Sequence, residues 1–318
     1  MSFWSPIEVR TLFRAVAQAP SVHNSQPWVM ELHERSVLLF ERWDVALPHH
    51  EPKGRDRLLS CGAALTNLRL AMRVMGWQVS TLLLPDPAQP DLVATVTAVR
   101  RQPPTETEAD WYAAIPERRS HRYRFDDKPL TPHEIDAVEA ALVGERVSSR
   151  RLAADEAGMV AGLMEHTAEL LHHDHRYQRE LRSWTVRRGR DRAGIPVDQL
   201  THGLFGGLVR LGDGVPDHEV LTARIADECV LVVETVDDGR RDHLIAGAAI
   251  ERAWLAATHL GLAVSVITQP LQLAEVRAGL SERLHLPGFP HALLRVGRPS
   301  LSVAASPRRS FSDLVRTL

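Results

Sequence analysis

Two cysteines in 318 residues, Cys61 and Cys229, are too few for a disulfide framework and suit a reducing compartment. Neither belongs to a C-x-x-C pair, so thiol redox work or an iron–sulfur cluster finds no support. No stretch of eighteen uninterrupted apolar residues is present, which argues against a membrane span, and the opening MSFWSPIEVR lacks the apolar run of a secretion signal. Charge of one sign is also lacking. Thirty-eight basic residues stand against forty acidic ones, a formal charge of −2, and this balance gives no reason to expect a nucleic-acid partner. G-x-S-x-G, H-E-x-x-H, P-loop and G-x-G-x-x-G motifs are missing as well. These absences predict a cytoplasmic protein with neither membrane nor nucleic-acid partners.

What is there is a chain about 44% hydrophobic, enough for one large core or two closely packed halves. Residues 6–19 read as a helix with Pro6 in its first turn, ended near Pro20. Residues 28–40 read as a strand or hairpin, and a turn-rich link over 42–57 precedes a strong helix that Gly76 closes. Strands are expected at Val79–Leu84 and Leu92–Val99, a short helix at Trp111–Ile115, and a helix starting at Thr131 or Pro132. Val147–Leu152 reads as a strand, residues 155–183 as one long polar helical tract, and 187–217 as irregular. ECVLVVETV and HALLRVG complete the strands.

Residues 59–79 and 244–264 agree at a constant offset of 185: Leu59/Leu244, Gly62/Gly247, Ala63/Ala248, Ala64/Ala249, Leu70/Leu255, Ala71/Ala256, Gly76/Gly261 and Val79/Val264. Small residues in the first turns permit close helix packing, and the terminal glycine accepts a left-handed cap. Two amphipathic helices can agree by chance, but the shared Gly-Ala-Ala, the shared terminal Gly and the strand after each make duplication the better reading.

Three stretches carry candidate chemistry. APSVHNSQPW, residues 19–28, gathers Pro, Ser, His, Asn and Gln where a helix stops, more than a helix exit needs. IPERRSHRYRF carries Arg118, Arg119, Arg122 and Arg124 around Ser120, which suits an anionic ligand or a solvated basic surface equally. Arg308 and Arg309 join that cluster only if the C-terminus folds back. The HHDH run at 172–175 is a poor metal site, because only His172 and His175 can share a helical face, and His49–His50 is no more specific.

Taken in order, APSVHNSQPW, the Gly-Ala-Ala helix, RRSHR and the C-terminal PRR resemble the FMN-binding nitroreductase family, over roughly residues 6–316. The chain is most similar to the internally duplicated actinobacterial Acg branch. The resemblance implies an α+β fold, a nitroreductase-like unit duplicated within one chain, with mixed central sheets flanked by helices and the chain as its own pseudo-dimer. The halves would be residues 1–105 and 106–318. FMN is the implied cofactor, with no metal. Pro20, Ser21, Val22 and Asn24 match the loop that faces the flavin. Arg118, Arg119, Ser120 and Arg122 match the arginine motif, with Arg118 and Ser120 on the phosphate or ribityl chain and Arg122 nearer the ring. Ser265, Thr268 and Gln269 fall on the segment beneath the isoalloxazine, and Arg308 and Arg309 on the C-terminal basic residues that hold the phosphate. Each half has only one of the two motifs, so together they make one complete site, not two.

The implied function is oxidoreduction, hydride or electrons passing from NAD(P)H through FMN to a small nitroaromatic or quinone-like acceptor, with no catalytic side chain nominated. The alternative is a non-catalytic FMN-binding or FMN-sequestering stress protein. The family's Phe lies four residues after the Ser, whereas Arg124 stands there and Phe125 follows. An insertion-like tract over 184–215, with Arg187, Arg188 and Arg190, matches a lid over the flavin.

Overall fold

The computed structural model describes residues 4–186, 192–197 and 217–316. Helix α1 (Pro6–Ala17) begins at a capping box: the Ser5 hydroxyl accepts the Glu8 amide and the Glu8 carboxylate accepts the Ser5 amide. Its Leu12, Ala15 and Val16 turn inward, as the 3.6-residue period requires. Strands β1 (Trp28–Leu32) and β2 (Ser36–Glu41) form an antiparallel hairpin. Helix α2 (Arg55–Val74) follows, then β3 (Trp77–Leu83), β4 (Leu92–Arg101) and the connecting helix α3 (Glu106–Ala114).

The rest of the chain adds α4 (Pro132–Leu142), β5 (Val147–Arg151), α5 (Ala157–His173), α6 (His175–Ser183), β6 (Thr185–Val186) and β7 (Ile195–Pro196). After these come α7 (His218–Asp227), β8 (Cys229–Thr235), α8 (Arg240–His259), β9 (Ala263–Ile267), α9 (Ala274–Arg283) and β10 (Phe289–Gly297). Helix α10 (Phe311–Leu314) and β11 (Val315–Arg316) end the described chain.

The first sheet has the order β11-β1-β2-β4-β3 and the second β5-β8-β10-β9. Without β11 the two orders are the same, each neighbouring pair is antiparallel, and each sheet has a twenty-residue helix between its second and third strands in sequence. Those helices are α2 and α8, the pair that the 185-residue offset relates. They cross at the matched glycines: a Cβ on Gly62 would overlap the Leu244 carbonyl, and one on Gly247 the Leu59 carbonyl. Since Leu59 and Leu244 are themselves offset partners, the contact is reciprocal, the mark of an isologous two-fold interface. Gly76 and Gly261 end the two helices with φ of +82° and +72°, the expected left-handed exits. The fold is thus α+β with two similar units back to back on α2 and α8.

Strand β11 pairs parallel with β1, so the chain's end returns to the first sheet and makes it mixed. Apolar side chains of both sheets and both long helices form the core, with Trp28, Leu68 and Met72 in one cluster and Ile250, Trp254 and Leu294 in the next. The expected single helix over 155–183 is two helices. Asp174 breaks it by leaving helical geometry (ψ 98°) and caps α6, its carboxylate accepting the amides of Arg176 and Tyr177. His172 and His175 consequently lie on different helices. Among the described residues no helix is long and apolar enough to cross a membrane.

Candidate functional site

The exit from α1 is built from an unusual backbone. His23, Asn24 and Gln26 have φ of 49°, 53° and 52°, the left-handed region that a side chain other than glycine enters only when its surroundings over-determine it. Here they do. Ser21 Oγ accepts the Gln26 amide at 2.9 Å, and Val22 N donates to Ser60 Oγ on α2 at 3.1 Å. Asn24 Nδ2 donates to the carbonyls of Pro307 (2.9 Å) and Gly194 (3.1 Å), while Gln26 Nε2 donates to Arg192 O at 2.9 Å. Gln26 and Trp28 are fully buried and brace the loop from below. One strained turn is therefore held by α2, by the C-terminal segment and by residues 192–194.

The arginine motif arrives from another direction. Ser120 bridges Val264 in parallel and His121 N donates to Val264 O at 3.0 Å, so residues 118–122 run along the open edge of β9. Arg118 is buried, its guanidinium 4.4 Å from the centre of the Trp254 ring. Arg118 Nη2 donates to Gln18 O at 3.1 Å, and Arg308 Nη2 donates to the same carbonyl at 3.2 Å. Gln18 caps the C-terminal end of α1, where carbonyl partial charge favours cations. Arg308 Nη1 also donates to Asn24 Oδ1 at 2.5 Å, which ties the C-terminal segment to the strained turn.

These parts surround one cavity. Pro20, Ser21, Val22, Asn24, Arg118, Arg119, Ser120, Arg122, Ser265, Thr268, Gln269 and Arg308 all line it, although they come from four widely separated stretches. Arg309 is outside the lining: its guanidinium Nε donates to Ser25 O at 3.2 Å and its amide to Gln26 Oε1 at 2.8 Å, so it braces the turn instead of holding a ligand. Arg119 borders the cavity with its guanidinium tied to the carbonyls of Pro116 and Arg118. Of the insertion, Ile195 lines the cavity and 192–194 bond to the turn. Arg187, Arg188 and Arg190 and most of the tract to 215 lie outside the described residues.

Buried guanidinium groups crowd together in this cavity. Burial, and then Arg118 and Arg119, push the Arg308 pKa down to about 9; burial, and then Arg118, push Arg122 down to about 10. Guanidinium groups stay charged at neutral pH, and the repulsion of Arg308 by Arg118 and Arg119 suits the site to an anion. Arg118 Nε and Nη1 are buried without a hydrogen-bond partner, two donors directed by a planar group suited to phosphate.

The cavity also holds His23 of the APSVHNSQPW stretch, His50, which the sequence offers only as a weak metal candidate, and four side chains without any sequence signal: Gln18, Asp56, Tyr177 and Trp254. His50 Nε2 lies 3.3 Å from Asp56 Oδ2, and the Thr268 hydroxyl donates to the same carboxylate oxygen. Burial alone would raise the Asp56 pKa, but the bond from His50, the charge of Arg55 and the Thr268 hydroxyl hold it well below the carboxylate range. His50 Nδ1 has no hydrogen-bond partner. Its backbone is fixed from α6, where the Glu180 carboxylate accepts the amides of His49 and His50. Burial, then His50, keep His23 neutral at physiological pH. Gln269 Nε2 donates to the Tyr177 hydroxyl, whose pKa burial raises. Away from the cavity, Asp238, His243 and His291 come close enough to suggest a metal, but both outer nitrogens of Arg277 already occupy Asp238.

The profile of the nitroreductase family matches residues 215–298. A Mycobacterium tuberculosis H37Rv protein, named provisionally as an NAD(P)H nitroreductase, is 31% identical over 318 residues, which is 96% of this chain and 90% of that protein. The provisional NAD(P)H nitroreductase acg of the same strain is 29% identical, covering 96% and 94%. A crystal structure of a Bacteroides fragilis nitroreductase with bound FMN aligns with 64% of this chain and 96% of its own, at 16% identity and a TM-score of 0.42.

Proposed function

The chain belongs to the nitroreductase family, and from that premise we propose that its cavity holds FMN and that the protein is an NAD(P)H-dependent oxidoreductase. The observation that carries the reading is the convergence of Arg118, Arg122 and Arg308 with Ser120 on one cavity, where Arg118 keeps two buried N–H donors unused. That is the donor set a phosphate monoester needs, and the apolar Leu59, Ile250 and Trp254 beside it suit an aromatic ring system.

FMN when bound supplies the electron chemistry, accepting hydride equivalents from a reduced nicotinamide and yielding electrons to a nitroaromatic or quinone-like acceptor. The chain's own residues bind and orient. Arg118, Arg308 and Ser120 anchor the phosphate, the strained turn at 21–24 fixes one wall, and β9 with Thr268 fixes another. Asp56, kept ionised, accepts from His50 Nε2 and fixes the ring, which leaves Nδ1 as a hydrogen-bond acceptor on this wall. One observation favours a second reading. The bonds from Asn24 to Gly194 and from Gln26 to Arg192 draw the insertion over the turn, which suits a flavin that is covered and retained without turnover.

One experiment addresses both. Flavin-free protein is titrated with FMN and with riboflavin, and the FMN-loaded protein is mixed anaerobically with NADPH and NADH in stopped flow. Arg118→Ala is expected to weaken FMN about 10- to 100-fold, the worth of charge-assisted hydrogen bonds, while changing riboflavin little. Equal loss for both ligands overturns the phosphate assignment. Rapid bleaching of the flavin band supports the reductase; full occupancy without bleaching, in a flavin that dithionite reduces, supports the covered binder.

A further inference from the structure

Behind Arg118 lies a carboxyl group that no part of the mechanism above uses. Glu251 sits on α8 with no exposed surface, and its Oε1 is 3.7 Å from Arg118 Nε, too far for a hydrogen bond. Both Glu251 oxygens lack a hydrogen-bond partner, as do Arg118 Nε and Nη1. The adjacent Asn67 side chain on α2 donates its Nδ2 to Ala15 O at 3.0 Å and leaves its Oδ1 unpartnered. Five orphaned polar atoms are thus gathered at and behind Arg118, each of them short of a partner.

We propose that Glu251 is the resident counter-ion of Arg118 in the empty site, and that an arriving phosphate monoester displaces it electrostatically, Glu251 becoming neutral by taking one proton from solvent. The inference rests on the reading of the cavity as an FMN site. The Glu251 carboxylate offsets the charge of Arg118 without bonding it. A phosphate that bonds Arg118 from the cavity side becomes its partner and adds negative charge beside Glu251. The proton goes to a Glu251 oxygen. No bond other than that O–H forms, and nothing is oxidised or reduced.

The charges acting on Glu251 are Arg118, from the segment after α3, and Arg308, from the C-terminal segment, and the Asn67 side chain of α2 also favours the carboxylate. Burial outweighs all three and raises the Glu251 pKa to about 7, so added negative charge moves it further up, above neutral pH. The ligand's own ionisation acts oppositely. Its second pKa is about 6, and arginines favour the dianion, so phosphate binding alone releases protons. Net uptake at slightly alkaline pH therefore reports on the protein.

The test is calorimetry of FMN binding to the flavin-free full chain, near neutral to mildly alkaline pH, in two buffers of different protonation enthalpy. The wild type is expected to take up a large fraction of one proton, and its FMN affinity to fall up to about tenfold per pH unit above roughly pH 7, while riboflavin affinity stays flat. E251Q is expected to take up none and to bind FMN with no such slope. FMN binding to the wild type without proton uptake, or equal uptake by E251Q, overturns the proposal. Should E251Q not fold, infrared difference spectra of the wild type decide: FMN, and inorganic phosphate as a probe, must each produce a protonated-carboxyl carbonyl band that riboflavin does not. If neither FMN nor phosphate binds the wild type, the flavin reading falls and this inference with it.

Discussion

Glu51 shows what a single buried carboxyl contributes when its neighbours are already committed. Arg57, the nearest cation, gives its Nε to Glu41 at 2.5 Å, and Arg240 adds a second bond to Glu41 at 2.9 Å. Glu51 accepts the Arg57 backbone amide at 3.1 Å, while its Oε1 lies 3.6 Å from Arg57 Nη1 with no hydrogen bond. Burial, and then the charge of Asp56, lift its pKa to about 8, against an ordinary value of 4.5. A carboxyl whose pKa is higher folded than unfolded adds stability that is complete below the unfolded value and gone above the folded one. Thermal stability of the wild type should therefore decline between about pH 5 and pH 8, and Glu51→Gln should flatten that decline by up to a few kcal/mol. Melting both proteins across that range checks it, and parallel curves refute it. Such a residue is illegible in sequence, as are Asp56, His50 and Glu251, because each depends on segments that only folding brings together. The arginine motif and the Pro-Ser turn were legible for the opposite reason: each packs several specialised side chains within ten residues.

At the scale of elements, the crossing of α2 and α8 carries the most weight, and here sequence and structure meet closely. The 185-residue offset identified Gly62 and Gly247, and both prove to lie where another helix's backbone leaves no room for a Cβ. An ordinary helical glycine replaced by alanine gains up to about 1 kcal/mol of helix propensity. At Gly247 that gain is overwhelmed, since a methyl group meets the rigid Leu59 carbonyl and either the helices separate or the backbone bends; a net loss of about 1–3 kcal/mol follows. Gly162 in α5 is the control. Its added Cβ would find its nearest neighbour, His218 Cε1, at 3.7 Å, an ordinary contact. Gly162→Ala should be neutral or stabilising and Gly247→Ala destabilising, measured as denaturation midpoints. The same sign for both would remove the close crossing. The break between α5 and α6 escaped the sequence reading because polarity around HHDH looked continuous, whereas the decisive feature was Asp174 acting as a cap.

The whole molecule is a two-fold object with its symmetry broken at the site. Ile250 and Trp254 of α8 line the cavity, and the offset places Leu65 and Arg69 of α2 at the equivalent positions. There is no second Trp to stack an arginine. Helix α3 packs against both α2 and α8, its Trp111 contributing to both hydrophobic clusters. Its Glu108 acts on Arg69 and pairs with Arg73 Nε at 2.8 Å, so the charge on that face of the helix pair is met from within the chain. On the other face Arg118, Arg122 and Arg308 gather at the cavity instead. The arginine motif follows α3 directly and the Pro-Ser turn occurs only once, which gives the second face neither half of a phosphate site. Saturation with FMN should therefore give one flavin per chain. Occupancy should also be independent of protein concentration, because every anchoring residue named above belongs to the same chain. Flavin-to-protein ratios from absorbance, taken across a wide dilution series and paired with native mass spectrometry, measure both. Two flavins per chain would mean that the α3 face also binds, and occupancy that falls on dilution in excess FMN would mean that a second copy completes the site.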